Sequence, residues 1–175
     1  LPTISEALTV QNLNAGYGRK HILQEVNAHI AKGKITSLLG PNGSGKSTLM
    51  KACTKILNIQ SGNILLHGRN IAKLSTRELA LQLATLPQSA VAPANLSVRD
   101  LVEQGRYAQV GPFGMLRRQD HLAITQAIEQ VGLSQLMDRN VDTLSGGERQ
   151  RAWIALTLAQ QTELLALDEP TTYLD

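Results

Sequence analysis

One stretch in the first third of the chain combines the residue types that bind a phosphate group. Residues 40–48 fit the pattern G-x-x-x-x-G-K-[S/T] at every fixed position. Glycines let the backbone curl with its N–H groups pointing inward, the lysine supplies a mobile charge for β- and γ-phosphates, and the next hydroxyl can bind Mg²⁺. The predicted phosphate-loop residues are Gly40, Pro41, Asn42, Gly43, Ser44, Gly45, Lys46, Ser47 and Thr48, with Lys46 as the charge and Ser47 as the metal ligand.

The residues on either side of this loop supply the context that the pattern requires. The run at 35–39 is short, apolar and partly β-branched, so it predicts a buried strand, whereas residues 49–57 predict a helix. A loop between a strand and a helix gains the helix dipole as a further attraction for anions. A glycine-rich turn without a ligand is the alternative, and the complete pattern with both flanks favours the phosphate loop.

Two carboxylates end a second apolar run, near the end of the chain. Residues 164–167 predict a buried strand that is followed by Asp168 and Glu169. Ligands of α/β sheets bind at the carboxyl ends of strands. We therefore expect Asp168 to hold Mg²⁺, directly or through water, opposite Ser47, and Glu169 to orient or deprotonate an attacking water. Two surface carboxylates at a strand end are the alternative, which the phosphate loop makes less favourable.

A serine and two glycines precede a third candidate element, a predicted helix that runs to about residue 161. The hydroxyl of Ser145, the bare N–H groups of Gly146 and Gly147 and the helix dipole can form a second anion site. An ordinary helix cap is the simpler interpretation of these residues alone. One chain cannot easily use two such sites on one γ-phosphate, so the sequence predicts a head-to-tail dimer in which this site closes over the partner's loop.

The remaining sequence indicates an α/β core with an inserted helical block. Strands are predicted at 8–13, 22–30, 63–67 and 84–88, and the spacing of Ser75 and Glu78 predicts a capped helix start. Between 89 and 143 strand signals vanish, and helices are predicted from Ser97 and from about Arg118. We therefore divide the chain into 1–88, the nucleotide-binding core, 89–143, the helical subdomain, and 144–175.

Composition excludes several classes of protein. The net charge of +3 is mild and aromatic residues make up 3%, so nothing indicates a nucleic-acid partner. Cys53 is the only cysteine, which rules out an intrachain disulfide, and it is expected to pack in a helix. No run of 18 apolar residues and no basic-then-apolar leader pattern is present, so we expect a cytosolic protein.

Taken together, the motifs resemble the nucleotide-binding subunit of ATP-binding cassette (ABC) transporters over nearly the whole chain. Residues 40–48 match the Walker A motif, 144–150 the family signature and 164–169 Walker B. The resemblance implies that Tyr17 stacks on adenine and that Gln88, at the Q-loop position, serves catalysis and the metal. From the residues alone, the simpler interpretation is that Tyr17 is an aromatic residue packed in a turn and that Gln88 is a solvated glutamine in a loop. Glu148, in the signature, departs from the usual glutamine.

The resemblance also implies what such a protein does. It implies a P-loop NTPase fold with N-terminal antiparallel strands, which binds ATP and Mg²⁺ and hydrolyses ATP with Glu169 and Lys46 as catalytic residues. It implies three partners, which are a second copy of the chain, transmembrane permease subunits and, indirectly, a substrate-binding protein. The implied location is peripheral, on the cytoplasmic side of the inner or plasma membrane.

A finer resemblance concerns the cargo. Residues 105–107, 141–143, 151–155 and 168–175 resemble importers of iron(III)-siderophore complexes. Haem and cobalamin importers are close relatives and stay as alternatives, as does a soluble ABC ATPase without a transport role. A GTPase switch is disfavoured because no Asn-Lys-x-Asp motif occurs. A nucleotide-binding module without turnover is the remaining alternative.

The last expectation concerns a strand that follows Walker B in the family and ends in a switch histidine. The histidines of this chain, His21, His29, His67 and His121, all precede Walker B. The family fold places that strand between the Walker A and Walker B strands, so residues 35–38 and 165–167 are expected to lack a ladder partner there. We therefore expect the chain to be a portion of a longer protein, with the C-terminal part of the core absent and little turnover on its own.

Overall fold

Two compact units make up the fold, residues 1–79 and residues 80–175. The structure is a computed structural model, and it describes residues 5–86, 94–111 and 114–168. The first unit contains an antiparallel sheet and the phosphate-loop segment, and the second contains a short parallel sheet and a helical block. The three-part division at residues 88 and 143 stays a prediction.

A pair of long strands forms the centre of the first unit. Strand β1 (Glu6–Tyr17) pairs with β2 (Lys20–Ala31) on one edge and with β3 (Ile59–Leu66) on the other, and β3 also pairs with β4 (Arg69–Asn70). Leu8, Val10, Leu13 and Ala15 of β1 are buried in the core, and an irregularity of the register between Val10 and Leu13 keeps them on one face. The antiparallel N-terminal sheet is thereby confirmed.

The hairpin between β1 and β2 is tighter than the sequence predicted. The predicted strands end at residue 13 and begin again at 22, but β1 continues to Tyr17, and only residues 18 and 19 lie between the strands. A Cβ at Gly16 would lie 2.0 Å from the carbonyl oxygen of Lys20, so only glycine allows this approach. The hairpin fixes Tyr17 at the end of the sheet.

The strand predicted at residues 35–39 is wrong. These residues form no strand, and Ile35 is 98% and Leu39 88% exposed. A strand is held by hydrogen bonds to a neighbour, and no described residue supplies a ladder for this segment. Its apolar pattern therefore indicates that these side chains could be buried in a strand. The pattern does not indicate whether a neighbouring strand is present to pair with it.

The second unit begins near the end of the short helix α2 (Thr76–Ala80) and contains the predicted Walker B strand. Strand β5 (Leu83–Leu86) lies parallel to β6 (Leu164–Leu167), with Ala84 opposite Leu165 and Leu86 opposite Leu167. Among the described residues β6 is paired on this one edge only. Leu165 and Leu167 thus have a ladder partner on one edge of β6, and the expectation that they lack one concerns the other edge.

The helical block packs around one apolar cluster. Its helices are α3 (Val98–Glu103), α4 (Tyr107–Val110) and α5 (Arg118–Gln130), and α6 (Gly146–Ala159) packs against α3 and α5. The cluster is formed by Val98, Leu101, Val102, Ile124, Ala127, Ile128, Leu133, Val141, Leu144, Ala152, Ala155 and Ala159. In the described parts of 94–143, strand pairing is limited to one bridge between Ser97 and Asn140, as the helical prediction required.

Helix α1 (Lys46–Cys53) follows the phosphate loop and ends in the only cysteine. Burial raises the pKa of the Cys53 thiol to about 12. At pH 8 the reactive thiolate is therefore scarcer in the folded chain than in the unfolded chain, by a factor on the order of 1,000. We expect Cys53 to react with a thiol reagent far more slowly in buffer than in concentrated urea. Equal rates in the two solvents would contradict this burial.

Candidate nucleotide-binding site

The phosphate loop has the backbone shape that its glycines predict. Gly43 and Gly45 have φ angles of 82° and 96°, in the left-handed region that side chains disfavour. A Cβ at Gly45 would also lie 2.9 Å from Cδ2 of Leu23 on β2. Glycine at position 45 therefore lets the loop turn sharply into α1 and lets its backbone lie against β2.

The start of α1 leaves its backbone donors open to a ligand. Gly45 occupies the N-cap position, so no side chain caps the helix, and the first turn contains no acidic residue. Uncapped N–H groups and the positive end of the helix dipole attract an anion. Ser47 lies half-buried in this turn and Thr48 is buried, while residues 40–44 are exposed. This segment therefore fits a phosphate group.

The Lys46 side chain folds back over the loop. Its Nζ donates hydrogen bonds to the carbonyl oxygens of Gly40, at 2.8 Å, and Pro41, at 3.0 Å. The ammonium is thereby held at the loop by two carbonyl dipoles. Phosphate oxygens are stronger partners for this charge than neutral carbonyls, so a bound nucleotide can take over these bonds.

Tyr17 lies in the same unit as the loop, at the end of β1. Its side chain is 47% exposed, and Nζ of Lys51 on α1 lies 5.9 Å from the ring centroid. An exposed ring of this kind can stack its face on a base, as the resemblance implies. The sequence analysis missed Lys51. Helical spacing could place it on the surface of α1, but its approach to Tyr17 depends on how the helix packs on the sheet.

The signature residues form the cap of α6. The Oγ of Ser145 accepts a hydrogen bond from the N–H of Glu148, at 3.3 Å, and a Glu148 carboxylate oxygen accepts one from the N–H of Ser145, at 2.8 Å. This is the reciprocal capping box, so the simpler interpretation as a helix cap holds. The N–H bond from Ser145 lowers the pKa of Glu148. The carboxylate is therefore ionised at neutral pH.

The negative charge of Glu148 disfavours binding of an anion at the start of α6, whereas the glycines favour it. Changing Glu148 to Gln should strengthen the ATP-dependent association of two chains by about two- to fivefold, because it removes a negative charge from the end of α6 where a phosphate is expected. The capping box survives, since glutamine can also accept the Ser145 bond. Analytical ultracentrifugation with MgATP is the measurement. Glu129→Gln removes the same charge from the exposed surface of α5 and is the control. Equal strengthening of association in both variants, or no strengthening in Glu148→Gln, would contradict the proposed effect of the Glu148 charge.

The Walker B strand carries Asp168 at its carboxyl end. The Asp168 N–H donates to the carbonyl oxygen of Leu86 at 3.0 Å, so its backbone is fixed to β5 just beyond the ladder. The side chain is half-buried. Gln88, Glu169 and residues 172–175, which match the D-loop of the family, lie outside the described residues. The structure describes Tyr17 and the phosphate loop within the first unit, and Ser145–Glu148 and Asp168 within the second.

A glycine loop of this shape, with its lysine at the start of a helix in an α/β protein, defines the class of phosphate-loop nucleotide-binding proteins. The ABC transporter family profile matches residues 23–172. The chain therefore belongs to the ABC transporter family, as the motifs predicted.

Individual relatives agree with this assignment. The chain is 47% identical over 97% of its length to the iron(3+)-hydroxamate import ATP-binding protein FhuC of Bacillus subtilis (strain 168), and 41% identical over 94% to the ferric enterobactin transport ATP-binding protein FepC of Escherichia coli (strain K12). It spans 63% and 61% of the length of these two proteins. An inward-facing structure described as a metal-chelate type ABC transporter superposes with a TM-score of 0.81 at 32% identity, covering 98% of this chain and 63% of that one.

In the part of the chain that the structure describes, none of the helices combines the length and the apolar character needed to cross a bilayer.

Proposed function

We propose that this chain belongs to the ATP-hydrolysing subunit of an ABC importer that takes up iron(III)-siderophore complexes. The subunit binds MgATP, closes as a head-to-tail dimer and moves attached permease subunits, which receive cargo from a substrate-binding protein. It acts at the cytoplasmic side of the inner or plasma membrane as a peripheral protein. The observation that carries this proposal is the phosphate loop, whose uncapped helix start and folded-back Lys46 fit the phosphates of a nucleotide.

Nucleotide binding is assigned to the first unit. Tyr17 stacks on the base, the N–H groups of the loop and of the first turn of α1 hold the phosphates, and Lys46 exchanges its two carbonyl partners for phosphate oxygens. Ser47 and Asp168 are assigned to Mg²⁺, together with Gln88, from their residue types and positions. Bound Mg²⁺ would neutralise charge on the β- and γ-phosphate oxygens.

The signature residues are assigned to the nucleotide of the other subunit. Ser145 and the N–H groups of Gly146 and Gly147 present a hydroxyl and a helix start that can meet a γ-phosphate in trans. This assignment explains how a chain can contain two separate phosphate sites. It also requires two copies for turnover, so the head-to-tail dimer is part of the same proposal.

The cargo is proposed from the relatives named above, which are import proteins for iron(3+)-hydroxamate and ferric enterobactin. An ATPase subunit does not itself contact the transported compound in the proposed arrangement. The direct test is therefore genetic. Deleting the gene in its own organism should abolish ATP-dependent uptake of a radiolabelled iron(III)-hydroxamate while uptake of an unrelated solute continues.

Glu169 is assigned to the water that attacks the γ-phosphate, in line with the leaving group. Changing Glu169 to Gln should lower kcat for ATP hydrolysis by about 100- to 10,000-fold, the range typical for loss of a positioned base, and leave MgATP affinity within about twofold. Size-exclusion chromatography should then show a dimer that persists with ATP. Hydrolysis at the parental rate would mean that another group activates the water. Absence of hydrolysis in the full-length parent would leave a nucleotide-binding module without turnover.

A further inference from the structure

An arginine that the motif analysis left without a role is buried in the helical block. Arg106 ends the 3₁₀ turn between α3 and α4 and is 5% exposed. Its Nε donates to a carboxylate oxygen of Asp120 at 3.0 Å, and Nη2 forms an ion pair with the same oxygen at 2.9 Å. Asp120 is 2% exposed in the first turn of α5, and its other oxygen accepts the N–H of Arg117 at 2.9 Å. The carboxylate is thus held between a guanidinium and a backbone donor.

The remaining donor of the guanidinium reaches the end of the signature helix. Nη1 of Arg106 donates to the carbonyl oxygen of Ala159, the last residue of α6, at 2.7 Å, and to Oε1 of Gln161 at 3.2 Å. Gln161 lies in the connection from α6 to β6 and has a φ of 51°, in the left-handed region that residues other than glycine rarely adopt. Arg106 therefore stabilises the turn that leads from the signature helix into the Walker B strand.

The connection beyond this turn is fixed to the sheet. Thr162 accepts the N–H of Ala84 on β5 through its Oγ1, at 3.2 Å, and donates to the carbonyl oxygen of Leu164 at 2.9 Å. Residues 161 and 162 thus join the end of α6 to both strands of the parallel sheet. Asp168 follows directly on β6, so the position of α6 and the position of this carboxylate are set through one short joint.

The residue before Arg106 prevents α6 from shifting toward the turn. A Cβ at Gly105 would lie 2.4 Å from the carbonyl oxygen of Leu156, so the two backbones are already in contact. A straight helix of 14 residues is about 21 Å long and moves as one body. A tilt at the Ala159 end therefore displaces Ser145 at the other end by a comparable distance. A displacement of about 1 Å can cost two orders of magnitude in rate.

Stability alone does not account for an arginine here. A buried ion pair often contributes no more to stability than an apolar pair of similar size, because both charges lose their hydration. What the guanidinium adds is geometry, since its planar fork bonds three different elements at fixed angles. The bonded partners are the start of α5, the end of α6 and the turn into β6.

We propose that Arg106 is a positioning residue for ATP turnover. It acts through α6 and the 161–162 joint to hold the signature residues and the Asp168 strand in one arrangement, and it does not contact the nucleotide. The proposal rests on the ATPase activity proposed above. Binding of ATP without Mg²⁺ by the phosphate loop of the first unit does not depend on it, because Asp168 is assigned to the metal alone.

The test compares Arg106→Met and Arg106→Lys with the parent in the full-length protein. We expect Arg106→Met to lower kcat by about 100-fold, and Arg106→Lys by about tenfold because an ammonium keeps the charge but not the fork, with the dissociation constant for ATP without Mg²⁺ within about twofold in both. Arg99→Met is the matched control, since Arg99 is a half-exposed arginine of α3 whose ion pair with Asp138 is 3.8 Å long. A purely structural role predicts instead that only the folded fraction falls, while kcat per folded molecule is unchanged.

Hydrogen exchange gives a readout that is independent of turnover. In Arg106→Met the amides of Glu148 and Arg149, which bond to Ser145 at the signature end, should exchange about tenfold faster than in the parent. Faster exchange confined to residues 159–162, or an unchanged kcat, would overturn the proposal. If the parent itself hydrolyses no ATP, the proposed function fails, and the exchange at Glu148 and Arg149 still decides whether Arg106 positions the signature end.

Discussion

Replacing Lys46 with alanine is expected to weaken MgATP binding by about 10- to 100-fold, the effect of losing a hydrogen bond between a charged donor and a phosphate. In the structure the Lys46 ammonium already bonds to the carbonyl oxygens of Gly40 and Pro41. The charge is thus kept at the loop before a nucleotide arrives, and alanine removes both the charge and these bonds. Isothermal titration with MgATP measures the loss.

The control for this variant is Lys73→Ala, which removes the same charge from an exposed lysine of the first unit. It should bind MgATP like the parent, because surface charges at a distance are screened by salt. Parental affinity in Lys46→Ala, or an equal loss in both variants, would contradict the role given to Lys46. A thermal melt without nucleotide shows whether the loop substitution has also disturbed the fold.

Changing Ser145 to Arg is expected to lower ATP turnover by about 100-fold or more, the scale seen when one transition-state donor is lost, while the monomer binds MgATP as before. The arginine cannot accept the Glu148 N–H bond that caps α6, and its long side chain fills the space that a γ-phosphate needs. Ser75→Arg is the matched control. Ser75 forms the same capping box with Glu78 at the start of α2, without a proposed nucleotide contact.

Mixing the Ser145→Arg and Lys46→Ala chains tests the trans arrangement. In a mixed head-to-tail dimer one composite site contains both defects and the other contains neither, so the mixture should regain part of the parental activity. If both residues serve the same nucleotide within one chain, every site in the mixture has one defect and no activity returns. Failure to regain activity would thus reject either the trans arrangement or the independence of the two sites.

Local chemistry explains which features the sequence could predict. The phosphate loop follows from glycines that must adopt positive φ angles, and the caps at Ser75 and Ser145 follow from a three-residue spacing that places a carboxylate opposite a free N–H. These are short-range constraints, and the structure satisfies them. The class of fold followed from the same motifs, and the family profile agrees with it.

Features that depend on distant residues could not be predicted in this way. The apolar run at 35–39 has the composition of a strand, but strand formation also needs a neighbour, which no local pattern specifies. Only the resemblance to the family indicated that this neighbour would be missing. Arg106 and Asp120 are each ordinary surface residue types, and only the packing of α5 on α6 buries them against each other. The folded-back position of Lys46 likewise depends on carbonyl groups that a residue pattern does not describe.

In these 175 residues on their own, the exposed segment at 35–39 is also expected to affect solubility. Ile35 and Leu39 are exposed in a short aliphatic and β-branched run that pairs with no strand among the described residues, and such runs can form intermolecular β-structure. Lys32 and Lys34 stand immediately before it, where like charges on two molecules repel each other. Salt weakens that repulsion. We therefore expect the solubility of these 175 residues to fall as salt is added, because salt screens the repulsion between these lysines. Purification at low salt should reduce intermolecular strand pairing at this segment.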